Sequence, residues 1–172
     1  MTTAAIHTGA ESAAHDAEIE HIHADAFGPG RYARAAFRIR EGGPHDRTLS
    51  RVALKDGKVI ASVRLTPVLV GATSALLLGP LAVAPAHKNK GIGRGLLKES
   101  LALAKDAGHR LVILVGDEPY YGPFGFHRVP HHSVRFPAPV DQNRILACEL
   151  AEGAVEGVTG DVRHAATRLK TL

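Results

Sequence analysis

A glycine-rich segment with three basic side chains is the part of the sequence that most directly predicts chemistry. Residues 88–95 read Lys-Asn-Lys-Gly-Ile-Gly-Arg-Gly, after an apolar run over 75–84 and before a stretch of helical periodicity. A helix N-terminus presents unpaired N–H groups and a partial positive charge, and glycines let a ligand approach that backbone closely. Lys88, Lys90 and Arg94 add long-range attraction for anions. The segment therefore predicts a binding site for phosphate groups.

Three kinds of phosphate-binding loop can be compared with this segment. A Walker loop requires Gly-Lys followed by Ser or Thr, and the chain contains no such tripeptide. A dinucleotide-binding fingerprint requires Gly-x-Gly-x-x-Gly, whereas Gly91, Gly93 and Gly95 bring the third glycine one residue too early. The third kind is the loop that binds the pyrophosphate of acyl-coenzyme A.

A tyrosine motif follows at residues 121–126, which read Tyr-Gly-Pro-Phe-Gly-Phe. The two segments together resemble the GNAT superfamily of N-acetyltransferases, in its branch of small predicted bacterial enzymes. The superfamily signature is [Gln/Arg]-x-x-Gly-x-[Gly/Ala] after Val-x-Pro, and here residues 88–93 follow Val-Ala-Pro at 83–85. The departure is Lys88 in place of Gln or Arg, and a main-chain contact at that position would survive the change. The family often carries Tyr-x-x-x-Gly-Phe, which the tyrosine motif fits.

The resemblance is strong over residues 76–127 and weaker over the rest of the chain. It implies one N-acetyltransferase domain over 1–172, with acetyl-CoA as co-substrate and no metal ion. The acceptor would be a primary amine of a small molecule or a protein, attacking directly in a ternary complex. Two alternatives stay open: a non-catalytic acyl-CoA sensor or interaction module on the same fold, and a nucleotide-binding protein.

The resemblance also implies which residues meet the co-substrate. In proteins similar to this one, the pantetheine arm lies beside the strand that precedes the loop, and the thioester lies where that strand and the next one separate. A main-chain N–H at the strand end, with Val83 the natural choice, could stabilise the oxyanion. The residues expected to bind acetyl-CoA are Leu81, Val83, Lys88, Asn89, Lys90, Gly91, Ile92, Gly93, Arg94 and Gly95.

The leaving thiolate needs a proton, and a phenol with a reference pKa of about 10 is a reasonable donor. Tyr121 holds the motif position and is expected to be catalytic, with Tyr120 as the alternative. We expect the tyrosine that does not face the sulfur to pack against one of the nearby phenylalanines. The strand over 75–84 carries no ionisable side chain. The general base therefore stays open among four possibilities: Asp117, Glu118, His127 and bound water.

The acceptor pocket is expected from residues 12–27, 31–40 and 126–136. Three arginines in the second of these segments suggest an anionic acceptor, or equally a solvated helix face: Arg31, Arg34 and Arg38.

The elements that position these residues can be predicted from hydrophobic periodicity and turn residues. The unit over 76–84, 91–107 and 111–115 should be a right-handed β-α-β crossover with parallel strands. The chain is therefore predicted to be an α/β protein with a central mixed β-sheet flanked by helices. Helices are expected over 12–27, 31–40 and 91–107, and a short turn or helix over 119–126. Strands are expected over 4–8, 49–54, 58–70, 75–84, 111–115, 134–136 and 145–150. The tail over 151–172 is weakly patterned.

Composition excludes several classes of protein. Hydrophobic residues make up 45% of the 172 residues and charged residues 22%, which is typical of a soluble globular protein. The longest apolar stretch, 72–86, is interrupted by glycine and prolines and is shorter than the roughly 18 residues of a membrane span. A net charge of +4 without tryptophan or aromatic-basic interleaving does not favour nucleic acid. The single cysteine, Cys148, favours a cytoplasmic protein, as a monomer or homodimer.

Overall fold

The computed structural model describes residues 5–167 as a nine-stranded sheet flanked by four α-helices. The strands are β1 Ile6–Ala10, β2 Arg51–Lys55, β3 Lys58–Val70, β4 Thr73–Val83, β5 Leu111–Val115, β6 Phe126–Arg128, β7 Val134–Arg135, β8 Ile145–Glu149 and β9 Gly160–His164. The α-helices are α1 Asp16–Phe27, α2 Ala35–Arg40, α3 Ile92–Asp106 and α4 Glu118–Tyr121. Short 3-10 turns span Ala13–His15, Pro29–Ala33, Pro85–His87, Gly122–Phe124 and Gln142–Arg144. None of the helices in this part of the chain is long and apolar enough to cross a membrane.

The sheet is mixed, which confirms the predicted fold class. Its main path runs β1-β2-β3-β4-β5-β8-β6, and β9 pairs with both β3 and β7. The β4–β5 and β7–β9 pairs are parallel, and the other pairs are antiparallel. Strand β3 is long enough to pair with β2 along its first half and with β9 along its last three residues. The predicted parallel relation of the strands before and after α3 is therefore correct.

The helices cover the two faces of the sheet. Helix α3 places Leu96 and Leu97, both fully buried, in one core cluster with residues of the central strands. Helix α1 places Ile19 and Ile22 against β2, β3 and β4 on the other face. Burying side chains of this kind stabilises the fold by roughly 1.5–3 kcal/mol each, so each helix is fixed to its face of the sheet by its apolar stripe.

Strands β4 and β5 separate soon after they meet. They are paired only at Leu76–Val112 and Leu77–Ile113. Just beyond this point β4 bulges, because Gly79 and Pro80 together stand opposite one residue of β3, between the Val63–Leu81 and Leu65–Leu78 pairs. The bulge turns β4 away from β5 and opens a slot in the sheet.

A polar cluster is buried between α1 and β3. Arg64, on β3, donates from Nε to a carboxylate oxygen of Glu11 at 2.7 Å, and His45 contacts the same carboxylate. His23 has no exposed surface, and neither of its ring nitrogens has a hydrogen-bond partner among residues 5–167. Burial, reinforced by the charges of Arg64 and Arg40, lowers the pKa of His23 to about 4. The imidazole is therefore neutral at pH 7.

The helix predicted over 31–40 is wrong in its first half. Residues Pro29–Ala33 form a 3-10 turn, Arg34 is extended with ψ 148°, and the α-helix starts only at Ala35. The Arg31 guanidinium donates both to the Gly28 carbonyl and to the Glu20 carboxylate. These bonds hold the segment in a tight turn that helical periodicity does not reveal.

Candidate functional site

A cleft of about 960 Å³ lies where β4 and β5 separate. One wall comes from β4 and the start of α3, and the other comes from the end of β5, α4 and the segment 139–144. Residues from the α1–α2 region close one end: Phe27, Arg34, Ala35, Ala36 and Phe37. The elements that the sequence predicted to surround the chemistry thus meet around one space.

The glycine-rich loop forms the end of the cleft opposite the α1–α2 region. Gly91 precedes α3 in the left-handed conformation with φ 77°, which a residue with a side chain adopts only at a cost. No side chain of residues 5–167 caps the first turn of α3, which leaves its leading N–H groups available to a ligand. Lys88 and Arg94 line the cleft beside them. This end is a cationic cradle that suits a pyrophosphate.

Most of the residues predicted to bind the co-substrate line the cleft. The lining includes Leu81, Val83, Lys88, Asn89, Gly91, Ile92, Gly93 and Arg94. It does not include Lys90 or Gly95, which lie on the exposed side of the loop and helix. A Cβ built on Gly93 would come within 3.3 Å of a Val83 methyl and 3.4 Å of the Tyr120 hydroxyl. A glycine at this position therefore lets α3 and Tyr120 pack closely beside β4.

Both adjacent tyrosines line the cleft, in different surroundings. The Tyr120 hydroxyl lies beside Gly93, and the Arg94 guanidinium lies 5.3 Å from the centre of its ring. The Tyr121 ring lies under Gly116 at the end of β5 and stacks edge-on against Phe126, with ring centres 5.8 Å apart. We expected the tyrosine that is not the catalytic candidate to pack on a phenylalanine. In the structure it is Tyr121, the candidate itself, that packs on Phe126.

The environment of Tyr121 keeps its hydroxyl protonated. Burial raises the pKa of Tyr121 to about 12, with Tyr120 and Asp117 adding to the shift. A general acid must carry its proton when the reaction starts, and the Tyr121 hydroxyl meets this condition at neutral pH. A phenol that stays protonated at this pH cannot act as the general base.

The three side chains considered as general base lie in different places. Asp117 directly precedes α4 and lines the cleft, and its carboxylate accepts a hydrogen bond from Arg144 Nε at 3.2 Å. Glu118 lies outside the cleft, where its carboxylate accepts from the main-chain N–H of Arg128. His127 is exposed on β6 and lines a separate, smaller depression. Asp117 is therefore the one of the three that can reach a ligand in the cleft.

The acceptor end differs from the sequence-based expectation. Segments 12–27 and 31–40 contribute to it, but 126–136 does not. Its place is taken by Pro139, Val140, Asp141 and Arg144, which run beside the cleft before β8 starts. This segment has no local motif that marks it, because its place beside the cleft depends on the antiparallel pairing of β8 with β5. Among residues 5–167 there is no cluster of side chains that could hold a metal ion.

Comparisons with known proteins place this architecture in a family. Residues 16–126 match the model of the acetyltransferase (GNAT) family. The chain is 34% identical over 135 residues to the uncharacterized N-acetyltransferase YhbS of Escherichia coli K12, covering 77% of this chain and 80% of that protein.

Solved structures give the same result. The crystal structure of E. coli YhbS in complex with CoA superposes with a TM-score of 0.80 at 28% identity, over 95% of this chain and 92% of the other. A GNAT family acetyltransferase from Brucella melitensis in complex with acetyl-CoA gives a TM-score of 0.70 at 28% identity, over 94% and 97% of the two chains. The chain belongs to the GNAT family of acetyltransferases.

Proposed function

We propose that this protein transfers the acetyl group of acetyl-CoA to a primary amine of a small molecule or a protein. The observation that carries the proposal is the cleft itself, which joins the uncapped N-terminus of α3 to a buried, protonated Tyr121. The two similar GNAT structures with CoA and acetyl-CoA bound support the same co-substrate for this chain.

The residues that line the cleft fit coenzyme A. Lys88, Arg94 and the free N–H groups at the start of α3 would hold its pyrophosphate. Beyond Leu77, the side of β4 that faces β5 is not paired with a strand in the described chain, so its main chain can pair with the amides of the pantetheine arm. Leu81 and Val83 are the residues that would border this arm.

Bound acetyl-CoA supplies a thioester. The chain supplies the groups that stabilise the oxyanion and transfer the protons. Main-chain N–H groups at the end of β4, with Val83 first, would stabilise negative charge on the carbonyl oxygen. Tyr121 Oη would donate its proton to the departing sulfur. Asp117, or a water bound beside it, would take the proton lost by the amine.

Direct attack in a ternary complex fits the composition of the cleft. Among residues 5–167, no cysteine or serine lines it, so it offers no thiol or hydroxyl of the kind that forms a covalent acyl intermediate. The one cysteine, Cys148, is buried with its thiol near the Phe124 carbonyl. The acetyl group would therefore pass to the amine in a single step.

The proposal also includes the compartment and the oligomeric state of the enzyme. The enzyme would work in the cytoplasm as a single-domain monomer or homodimer, without nucleic acid. The buried free thiol of Cys148 supports a reducing compartment. Light scattering on the purified protein would measure the oligomeric state directly.

A thiol-release screen tests the proposal. Acetyl-CoA is incubated with the protein and a panel of polyamines, aminoglycosides, amino acids and peptides with free N-termini, and free CoA is followed over time. We expect release that depends on one class of amine and is accompanied by an acetylated product in mass spectra. Tight CoA binding with no release on any amine would favour the non-catalytic sensor. Displacement of CoA by ATP or NAD would favour a nucleotide-binding protein.

A further inference from the structure

The α1–α2 end of the cleft is built from two aromatic rings with arginines stacked on them. Phe27 and Phe37 lie with ring centres 6.4 Å apart. The Arg34 guanidinium lies 4.5 Å from the centre of the Phe27 ring, and the Arg40 guanidinium lies 4.6 Å from that of Phe37. Stacking on an aromatic face fixes the plane of a guanidinium and leaves its N–H edge free to donate.

Neither of these two arginines has a carboxylate partner within residues 5–167. By contrast, Arg31 is paired with Glu20 at 2.6 Å, and Arg64 with Glu11 at 2.7 Å. Arg34 lines the cleft and is exposed to it, and it makes no side-chain hydrogen bond or ion pair in this part of the chain. Arg40 is partly buried, and its Nη1 atom is unpaired. The charge of Arg34 is therefore available to an anionic ligand in the cleft.

The position of Arg34 along the cleft separates it from the phosphate end. Two residues after it, the Ala36 Cβ lies 3.9 Å from where a Cβ on Gly79 would stand. Gly79 belongs to the β4 bulge, just beyond the last residue paired with β5, where the thioester is expected. Lys88 and Arg94 belong to the opposite, pyrophosphate end. Arg34 therefore faces what approaches the reacting carbon rather than the phosphates.

The wall formed by the end of β5, α4 and the segment 139–144 carries carboxylates. Asp117 and Asp141 both line the cleft there, and the Asp117 carboxylate accepts one hydrogen bond from Arg144 Nε. A ligand that extended from this wall to the α1–α2 end would meet carboxylates at one end and an unpaired guanidinium at the other. This is the complement of a molecule with an amine and an acid group.

We propose that the acceptor is an amine that also bears a carboxylate, and that Arg34 binds this carboxylate while the amine lies towards Asp117. Arg40, behind Phe37, strengthens the positive potential of the same wall. The substrate class is thus amino-acid-like amines, with Arg34 the residue that determines specificity. This inference rests on the proposed acetyl transfer.

The test uses amines in matched pairs that differ only in the carboxylate: lysine with cadaverine, ornithine with putrescine, and histidine with histamine. A further pair, O-phosphoethanolamine with ethanolamine, asks whether phosphate serves in place of the carboxylate. We expect the wild-type protein to prefer the carboxylate-bearing member by about 10- to 100-fold in kcat/KM, the range for a hydrogen-bonded charge pair. In R34Q this ratio should fall towards 1 through a rise in the KM of the carboxylate-bearing amine.

R38Q is the matched control, because Arg38 lies four residues further along the chain, on α2, and outside the cleft. It should keep the wild-type ratio. The inference is overturned if the decarboxylated amines are the better substrates, if R34Q slows both members of a pair equally, or if the phosphorylated amine is preferred over every amino acid. A loss of CoA affinity in R34Q would also overturn it, since Arg34 would then belong to the co-substrate site.

Calorimetry separates this inference from the proposed activity. Lysine, ornithine and histidine are titrated into the CoA-loaded wild-type protein and R34Q. Binding that is lost in R34Q supports the carboxylate site even when no amine is acetylated, an outcome that would defeat the proposed function alone. Turnover of decarboxylated amines, together with no binding of the amino acids, would leave the acetyltransferase intact and overturn the specificity.

Discussion

Replacing Gly116 with alanine should displace Tyr121 without touching its hydroxyl. A Cβ at residue 116 would stand 2.5 Å from Cε2 and 3.0 Å from Cδ2 of the Tyr121 ring, and 3.1 Å from a Leu114 methyl. Carbon atoms in contact are about 3.5–4.0 Å apart, so the ring must move by roughly 1 Å. The main chain of Gly116 does not require glycine, because its φ lies outside the left-handed region.

The size of the effect follows from geometry. A misplacement of roughly 1 Å in a reacting group can slow a reaction by about 10²-fold. Complete loss of a general acid costs about 10²- to 10⁴-fold. We therefore expect kcat of Gly116→Ala to fall by about 10²-fold, close to that of Tyr121→Phe. Overpacking should also lower the free energy of unfolding by about 1–3 kcal/mol.

The measurement is a double-mutant cycle in kcat with whichever amine the protein accepts. Because Gly116→Ala acts by moving the Tyr121 hydroxyl, it should have little further effect once that hydroxyl is absent. The double variant should be within about threefold of Tyr121→Phe alone, so the two effects are strongly non-additive. Affinity for CoA, measured by titration, should be nearly unchanged in each variant.

The matched control is Gly9→Ala. This change adds the same methyl group in open space on β1, outside the cleft and without a positive φ. It should keep wild-type kcat. The reasoning is refuted if folded Gly116→Ala turns over at the wild-type rate in a chemistry-limited assay, or if the two losses multiply in the double variant.

The other predictions concern the co-substrate, the two tyrosines and acid stability. CoA at about 100 times its Kd should stabilise the fold by roughly 2.7 kcal/mol, and a melting scan that shows no shift would contradict the assigned cleft. Gly93→Glu should abolish CoA binding in a folded protein, since its carboxylate would enter the cleft beside Val83 and repel the pyrophosphate; calorimetry measures this. Tyr121→Phe should lower kcat by about 10²-fold or more and Tyr120→Phe much less. A near-wild-type kcat in Tyr121→Phe, with chemistry rate-limiting, would remove Tyr121 from the mechanism. His23 is neutral when folded because its pKa is lowered from 6.5 to about 4, so its contribution to stability is present above pH 6.5 and is lost as pH falls towards 4. Denaturant titrations should show that the free energy of unfolding falls by about 2 kcal/mol from this group between pH 7.5 and pH 5. His23→Leu should not show this fall. If the pH dependence of the variant equals that of the wild type, other groups cause the loss.

The elements with strong local signals were predicted well. Strand β3 begins after the Asp56–Gly57 turn, where both residues have positive φ, and its predicted bounds of 58–70 agree with the structure. Strand β5, a short continuous apolar run, also has its predicted bounds. Strand β9 was missed, because the tail has no clear alternation and the strand forms only by pairing with the distant end of β3. Residues 1–4 and 168–172 lie outside the described structure, so the first residue of the strand predicted over 4–8 is not covered.

The sequence allowed more of the cleft-lining residues to be named at one end of the site than at the other. The glycine-loop end is local in sequence, because one loop and one helix start build it. The residues that line this end follow one another in the chain, and the resemblance to the family motif could name them. The acceptor end joins parts of the chain that are distant in sequence, such as Phe37 and Arg144. A single sequence does not reveal which of three arginines is neutralised by Glu20 and which remains unpaired. The buried pairing of Glu11 with Arg64 was equally hidden, because the arginine lies within an apolar strand.

The separation of β4 from β5 has a consequence for how such a protein can diversify. The two ends of the cleft come from different stretches of chain, with β4 and α3 at one end and the α1–α2 region and residues 139–144 at the other. Side chains such as Arg34 can therefore change without disturbing the glycine loop or the core beneath α3. Substitutions at the acceptor end can therefore change which amine is bound, while the end that binds the acetyl donor stays the same.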